Sequence, residues 1–274
     1  MTDSLTVSFA RGPSDRVPEP SFWQRWGRPV SVGLSLAILA VGAWIAAYRW
    51  GAFERAGAVG LDYRSFLIYA QRWVDTGSMY LPFQLSGPYS VNGVGHANVA
   101  MYPPNAIYLF APFLVLPAVL WWAVPLGILA RGFVRWRPAF WAWPILALLV
   151  VLPDGYISVI VGNATMWMVA FVAAGLLWGW PGLLVCLKPS LLPFALVGVR
   201  RRSWWIAALA MCALAVPLWS AWGDYVTVLR NADADATYSL GSVPAMLLPV
   251  VAWVGRNRHT AHEMLRPLRS SLTA

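Results

Sequence analysis

The sequence predicts an all-helical, multi-pass membrane protein with about six to eight transmembrane helices and an interfacial helix in its first outer loop. Three observations predict it. Of 274 residues, 59% are hydrophobic and only 11% charged, with mean hydropathy +0.59, whereas a soluble domain carries about 25% charged residues. Apolar runs near the length of a membrane span recur along the chain. Basic residues gather in four clusters between those runs, the positive-inside pattern. No strand alternation suggests a closed barrel, so helices must satisfy the backbone in hydrocarbon. The composition excludes disorder, a fibre and an ordinary soluble enzyme.

The elements follow in order. Residues 1–28 are polar and Pro-containing and read as a loose cytoplasmic tail. A membrane domain over 29–255 follows, with a second cytoplasmic tail at 256–274. The apolar runs within it are 29–48, 104–130 (long and Pro-interrupted), 138–153 (short), 164–180, 182–199 (split by Lys188-Pro189), 204–222 and 240–254. The first is too long for a signal-peptide core, and no small-residue cleavage site follows it, so it reads as an uncleaved anchor. Cys186 and Cys212 lie inside apolar runs and read as small hydrophobes rather than a disulfide or zinc framework.

The clusters are Arg11, Arg16, Arg25 and Arg28; Arg131, Arg135 and Arg137; Arg200, Arg201 and Arg202; and Arg256, Arg258, Arg266 and Arg269. Placing all four in the cytoplasm requires six full spans plus a re-entrant hairpin at 182–199, with both termini inside. The inside then carries 14 Arg against 4 acids (Asp3, Asp15, Glu19, Glu263), and the outside 5 Arg against 7 acids. The net charge of +9 is therefore a topology signal, and nucleic acid is not needed as a partner. Trp23, Trp26, Trp50, Trp136, Trp178, Trp180, Trp204, Trp205, Trp219 and Trp222 fall near span ends, where amphipathic rings prefer the headgroup level. Gly175 and Gly179 have the spacing of a helix-packing face.

The first outer loop, 49–103, is long for a connection, and long loops are usually functional. Within it, 62–75 carries Tyr63, Phe66, Ala70 and Trp73 at helical spacing, the apolar face of a helix lying in the membrane interface. Gly77 stops it. Gly87-Pro88, Asn92-Gly93 and Gly95 then mark turns around a lone His96, and Tyr102-Pro103-Pro104 leads back to the membrane with two N–H groups fewer to satisfy.

These residues carry a resemblance. Gly60-Leu61-Asp62-Tyr63, Tyr69-Ala70, Trp73, Gly77 and Tyr80 resemble the start of glycosyltransferase family 87, in the GT-C superfamily, which includes polyprenyl-phosphate-mannose-dependent mannosyltransferases. Tyr102-Pro103-Pro104, Leu109, Ala111-Pro112-Phe113 and Leu116-Pro117 look like its second signature. Gly162-Asn163-Ala164-Thr165 stands where the family often has Gly-Gln-x-Asn, and Leu187-Lys188-Pro189 is similar to its Lys-Pro element. The four elements cover about residues 55–222. Two departures stand out: Asn163 replaces the usual Gln, and family members commonly run to about 400 residues with more spans.

The resemblance implies a GT-C-like fold and an inverting transferase. Its donor would be a sugar, mannose in the family, on a polyprenyl phosphate, and its acceptor a lipid-linked or cell-envelope glycan. It also implies an active site on the outer face of the cell membrane. An acceptor hydroxyl needs a carboxylate to take its proton, and the leaving phosphate needs a cation. The resemblance places the catalytic base at Asp62, a residue that could otherwise simply cap its helix. Candidate substrate-binding residues are Arg64, Arg72, His96, Tyr102, Asn163 and Lys188, with Arg230 a further outer cation. Lys188 is the only lysine, and a charge in an apolar run marks function unless it snorkels to an interface. Asp75, Asp154, Asp224, Asp233 and Asp235 are the other outer acids, and the last two read as part of a solvated outer loop. Asp233-Ala-Asp235 lacks the third carboxylate a metal site wants. No cofactor beyond the lipid-linked donor is expected, and the sequence leaves a divalent metal open. The alternative is a catalytically inactive short relative serving as a membrane partner subunit. A transporter is disfavoured by the lack of an acid partner at the depth of Lys188 and of any inverted repeat.

Overall fold

The computed structural model describes residues 22–90, 98–233 and 240–256. Helix α1 (Phe22–Arg55) has 34 residues and so is about 51 Å long, against a hydrocarbon core of about 30 Å. Its Leu34, Leu36, Val41 and Trp44 are exposed, an apolar surface suited to lipid. It packs on α6 (Trp143–Val151) at Gly42, where a Cβ would collide with Val151.

Helix α2 (Leu61–Thr76) forms where the apolar stripe over 62–75 predicts a helix. Gly60 and Gly77, both in the left-handed region, bound it at either end. Its buried face is Tyr63, Phe66, Tyr69 and Ala70, so Tyr69 joins the stripe read from the sequence while Trp73 is only half-buried. The Phe66 ring stacks on Phe110 at 4.6 Å between centroids, and Tyr102 meets both rings edge-on. Short α3 (Pro82–Ser86) and α4 (Ile107–Phe110) complete this layer.

The segment 104–130 is not one straight span. Residues 104–114, which include α4, and α5 (Val119–Trp136) meet at 116°, because Pro112 and Pro117 remove N–H donors and block helix continuation. The next segment also bends. Helix α6 ends at Leu152, whose extended backbone (φ −58°, ψ 145°) suits a residue before proline. Helix α7 (Pro153–Val161) then departs at 54°.

Helix α8 (Thr165–Trp178) is the centre of the molecule. Every residue from Thr165 to Gly175 is buried, as befits a helix that is apolar all round. It packs against α5, against α11 (Val243–Val254) and against the segment 180–187. Gly175 lies so close to Gly182 that a Cβ would stand 2.7 Å from the Gly182 Cα, and Gly179 (φ 94°), which ends the helix, is packed as closely, a Cβ there standing 2.6 Å from Arg201. The expected hairpin at 182–199 is present as two 3-10 runs, Trp180–Leu187 and Pro189–Leu196, broken at Lys188. Helices α9 (Arg202–Ala215) and α10 (Trp219–Asn231), joined by a 3-10 turn at Val216–Leu218, form one long rod.

The described chain is helical throughout, with no named strand; its only β pairings are isolated bridges, Tyr89 to Ala232 and Pro138 to Arg256. Among the described residues two helices are long and apolar enough to cross a membrane, or up to four if each bent pair is one span. Two tryptophans depart from the expected interfacial belt. Trp136 is buried against Gly132, and Trp204 is buried with its indole N–H donating to the Ala195 carbonyl at 2.8 Å. Their apolar area serves packing.

Candidate active site

The start of α2 is pinned to the end of α7. The Gly60 N–H donates to the Ile160 carbonyl at 2.9 Å. The indoles of Trp121 and Trp122 donate to the carbonyls of Gly162 and Val159, each at 2.8 Å. Gly162 (φ 73°) makes this approach possible, since a Cβ there would stand 2.9 Å from both Trp122 and Tyr63. The α7–α8 turn thus lies directly against Asp62.

From that turn Asn163 donates its side-chain N–H to Asp62 Oδ2 at 2.6 Å. Its Oδ1 accepts from the Thr165 backbone N–H at 2.8 Å and from the Thr165 hydroxyl at 2.7 Å. The backbone bond also satisfies a donor at the start of α8. Lys188 Nζ donates to Thr165 Oγ1 at 2.7 Å. The result is a directional chain from ammonium to hydroxyl to amide to carboxylate. Because the Thr165 proton goes to Asn163, Ser242 Oγ, 3.4 Å from Thr165 Oγ1, is placed to donate into it.

Asp62 is half-buried. Burial raises its pKa, while the Asn163 hydrogen bond and the charge of Lys188 oppose that shift. Tyr69 and Tyr102 are near enough to feel its charge. Burial first, and the Asp62 charge in addition, push both phenols well above their usual range. Tyr69 also donates to the Val99 carbonyl at 2.9 Å. Beside the cluster lies a cavity of about 140 Å³, close in size to an apolar cavity that can hold a small ligand. Leu126, Leu129, Val169 and Leu248 line it, with Asp154, Ser158 and Thr165 also in its wall.

The structure therefore joins Asp62, Asn163 and Lys188 through Thr165, and sets the Tyr102 ring against Phe66, one turn along α2 from Asp62. It does not bring the two candidate arginines into that chain. Arg64 donates to the Val59 carbonyl at 2.8 Å and also to the Gly57 carbonyl, closing the turn before its own helix. Arg72 donates to the Met79 carbonyl at 2.7 Å. His96 and Asp235 lie outside the described residues. The hydrogen bond Lys188 makes is to Thr165, so it is linked to a carboxylate through Thr165 and Asn163 rather than by direct contact. Sequence reasoning missed Thr165 and Ser242 as members of the cluster. Thr165 had a signal in its place within the Gly162–Thr165 motif, whereas Ser242 offered only a polar residue before an apolar run.

A carboxylate held by an amide, and linked through a hydroxyl to an ammonium, can accept a proton. In comparisons with protein-family models, curated proteins and solved structures, the chain matches none.

Proposed function

We propose that the protein is a membrane glycosyltransferase of GT-C type, with six to eight spans (about 20 apolar residues for each full span) and its active site at the outer face of the cell membrane. It moves a sugar, mannose by the family resemblance, from a polyprenyl phosphate to a lipid-linked or cell-envelope glycan. The observation that carries this reading is the Asp62–Asn163–Thr165–Lys188 chain, assembled from three separate segments that each resemble a family element.

Asp62 accepts the proton of the acceptor hydroxyl as that oxygen attacks the anomeric carbon. The bond from the anomeric carbon to the phosphate oxygen breaks in the same displacement, and its electron pair leaves with the lipid phosphate. One in-line displacement inverts the anomeric centre. Lys188 supplies positive charge where the leaving phosphate gains negative charge. Burial keeps the Asp62 carboxylate basic, while Asn163 holds its orientation.

The test is transfer of radiolabelled mannose from polyprenyl-phosphate mannose in membranes carrying the chain or its Asp62→Asn variant. Transfer that disappears in the variant at equal protein level supports the reading. Transfer that persists removes Asp62 as the base. Absence of transfer from either chain favours the inactive relative that acts as a partner subunit.

A further inference from the structure

The ionised side chains are sorted between the two ends of the molecule. Helix α1 carries Arg25 and Arg28 in its first turns and Glu54 beside its last residue; Arg25 and Glu54 stand about 44 Å apart along it. The rod of α9 and α10 repeats the pattern, with Arg202 at its start and Asp224 about 33 Å further on. Packing gathers the remaining basic clusters at the same end. A Cβ on Gly27 would stand 3.2 Å from the Phe140 ring. The Ala139 N–H donates to the Gly255 carbonyl at 2.8 Å, and Pro138, next to Arg137, bridges to Arg256. The Arg131 guanidinium lies 5.7 Å from the centre of the Trp178 ring. Arg201 donates to the Leu177 and Leu176 carbonyls at 2.9 and 3.3 Å, which ties the neck of the 180–199 hairpin to the end of α8.

Every arginine of this end except Arg256 is exposed. No described carboxylate pairs with any of them. The acids lie elsewhere: Tyr63, next to Asp62, meets Trp121 and Trp122 at the opposite end of α5, and the backbone of Asp233 is tied to Tyr89 beyond the end of α10. Arg135, Arg200 and Arg202 make no side-chain hydrogen bond among the described residues. Arg137 makes none either, although it holds a left-handed backbone (φ 47°) at the end of α5, where glycine fits without strain. Within the chain only the dipole of α5 favours its charge.

Like charges crowded together repel, and a surface of opposite sign relieves that repulsion. Two observations identify the surface as lipid. Trp23, Trp26, Trp178 and Trp205 are exposed among the same arginines, and indole rings prefer the headgroup level of a bilayer. The exposed apolar sides of α1 (Val30, Leu34) and α9 (Ile206, Leu209) also run directly into the patch, so acyl chains and headgroup can be met together. We propose that this end of the bundle is a docking surface for anionic phospholipid headgroups. Its densest part is the junction of α5 with the hairpin neck, where Arg131, Arg135, Arg200 and Arg202 surround Trp178. Guanidinium groups take phosphodiester oxygens in pairs, and each arginine near the headgroups favours binding about fivefold. The surface has no part in the chemistry at Asp62, so it stands whether or not the chain transfers sugar.

The experiment takes the full-length chain purified in uncharged detergent. Mixed micelles supply phosphatidylglycerol or phosphatidylcholine with the same acyl chains, and mass spectrometry counts the lipid retained. Three proteins are compared: wild type, the triple variant Arg131→Gln, Arg135→Gln, Arg202→Gln, and the pair Arg49→Gln, Arg55→Gln at the other end of α1. The wild type retains phosphatidylglycerol about tenfold better or more, the triple variant loses that preference, and the pair keeps it. Raising salt from about 0.1 M to about 1 M weakens the preference, because the screening length shrinks from about 10 Å to about 3 Å. Equal retention of both lipids by the wild type overturns the proposal, as does a preference that survives the triple substitution or falls equally in the pair. Displacement of phosphatidylglycerol by inorganic phosphate, or by duplex DNA, at equal phosphate concentration assigns the patch to free anions or to nucleic acid and overturns the lipid assignment. If the triple variant does not fold, the wild-type salt series and Arg131→Gln alone carry the comparison, and a preference that neither of them changes overturns it.

Discussion

Removing the Asn163 side chain is the most informative single perturbation. Asn163→Ala deletes the 2.6 Å bond to Asp62 and both bonds that Oδ1 accepts from Thr165, at 2.8 and 2.7 Å. A hydrogen bond to a charged group contributes about 2 kcal/mol and a neutral one about 1 kcal/mol. The three sum to about 4 kcal/mol, and water reaching half-buried Asp62 restores part of the first, leaving about 3 kcal/mol. At about 2–4 °C per kcal/mol for a chain of this size, the melting temperature falls by about 6–12 °C. The pH dependence moves too. Asn163 favours the ionised form of Asp62, so its loss lets burial raise the Asp62 pKa further. A base works as the carboxylate, and its rate is lost as pH falls through its pKa. The acid limb of the transfer rate therefore moves to higher pH. Thermal unfolding in detergent and a pH–rate profile read the two effects. A melting temperature lowered by less than about 2 °C, with an unmoved acid limb, refutes the reasoning that Asn163 anchors the carboxylate.

Asp62→Asn abolishes transfer yet leaves the melting temperature at neutral pH equal to or above that of wild type. The folded-state pKa of Asp62 is raised, so its contribution favours folding below its ordinary value and is lost as pH rises through the folded value. The neutral amide avoids the resulting cost of a buried carboxylate, and the gain over wild type vanishes in acid; a melting curve at two pH values checks this. Gly162→Ala forces a left-handed backbone on a residue with a Cβ and presses it against Trp122 and Tyr63, costing about 2–4 kcal/mol. Its melting temperature and transfer rate fall together. Arg64→Ala loses the bonds to the Gly57 and Val59 carbonyls and about 1 kcal/mol of stability. Its donor KM stays at the wild-type value, because the guanidinium is engaged at the turn and not at the cluster; a donor titration decides the point.

The sequence by itself determined the all-helical, apolar class of protein and the helix α2. Composition and run length need no knowledge of what packs where, and the stripe of Tyr63, Phe66 and Ala70 repeats over a few residues. It also marked Asp62, Asn163 and Lys188 separately, each by a local motif. Local signals misled where the environment was not local. Trp136 and Trp204 stand near run ends but are buried by neighbours from other segments. Arg64 is a cation in the right loop, yet nearby carbonyls of the turn capture it. The bends at 116° and 54° follow from prolines whose presence is legible and whose angles are not.

Only the tertiary structure decided which groups meet. Asn163 and Asp62 are 101 residues apart, and Thr165 and Ser242 are 77 apart. No periodicity links such positions, because the contact depends on the bend at Pro153, the glycine turn at 162 and the close packing around α8. The same bend sets Asp154, expected as one of the outer acids, in the wall of a cavity with Thr165 and against the turn at Gly241. A charge pattern along the chain records how many ionised groups there are. Which of them share a pocket is set by the packing that removes them from water together.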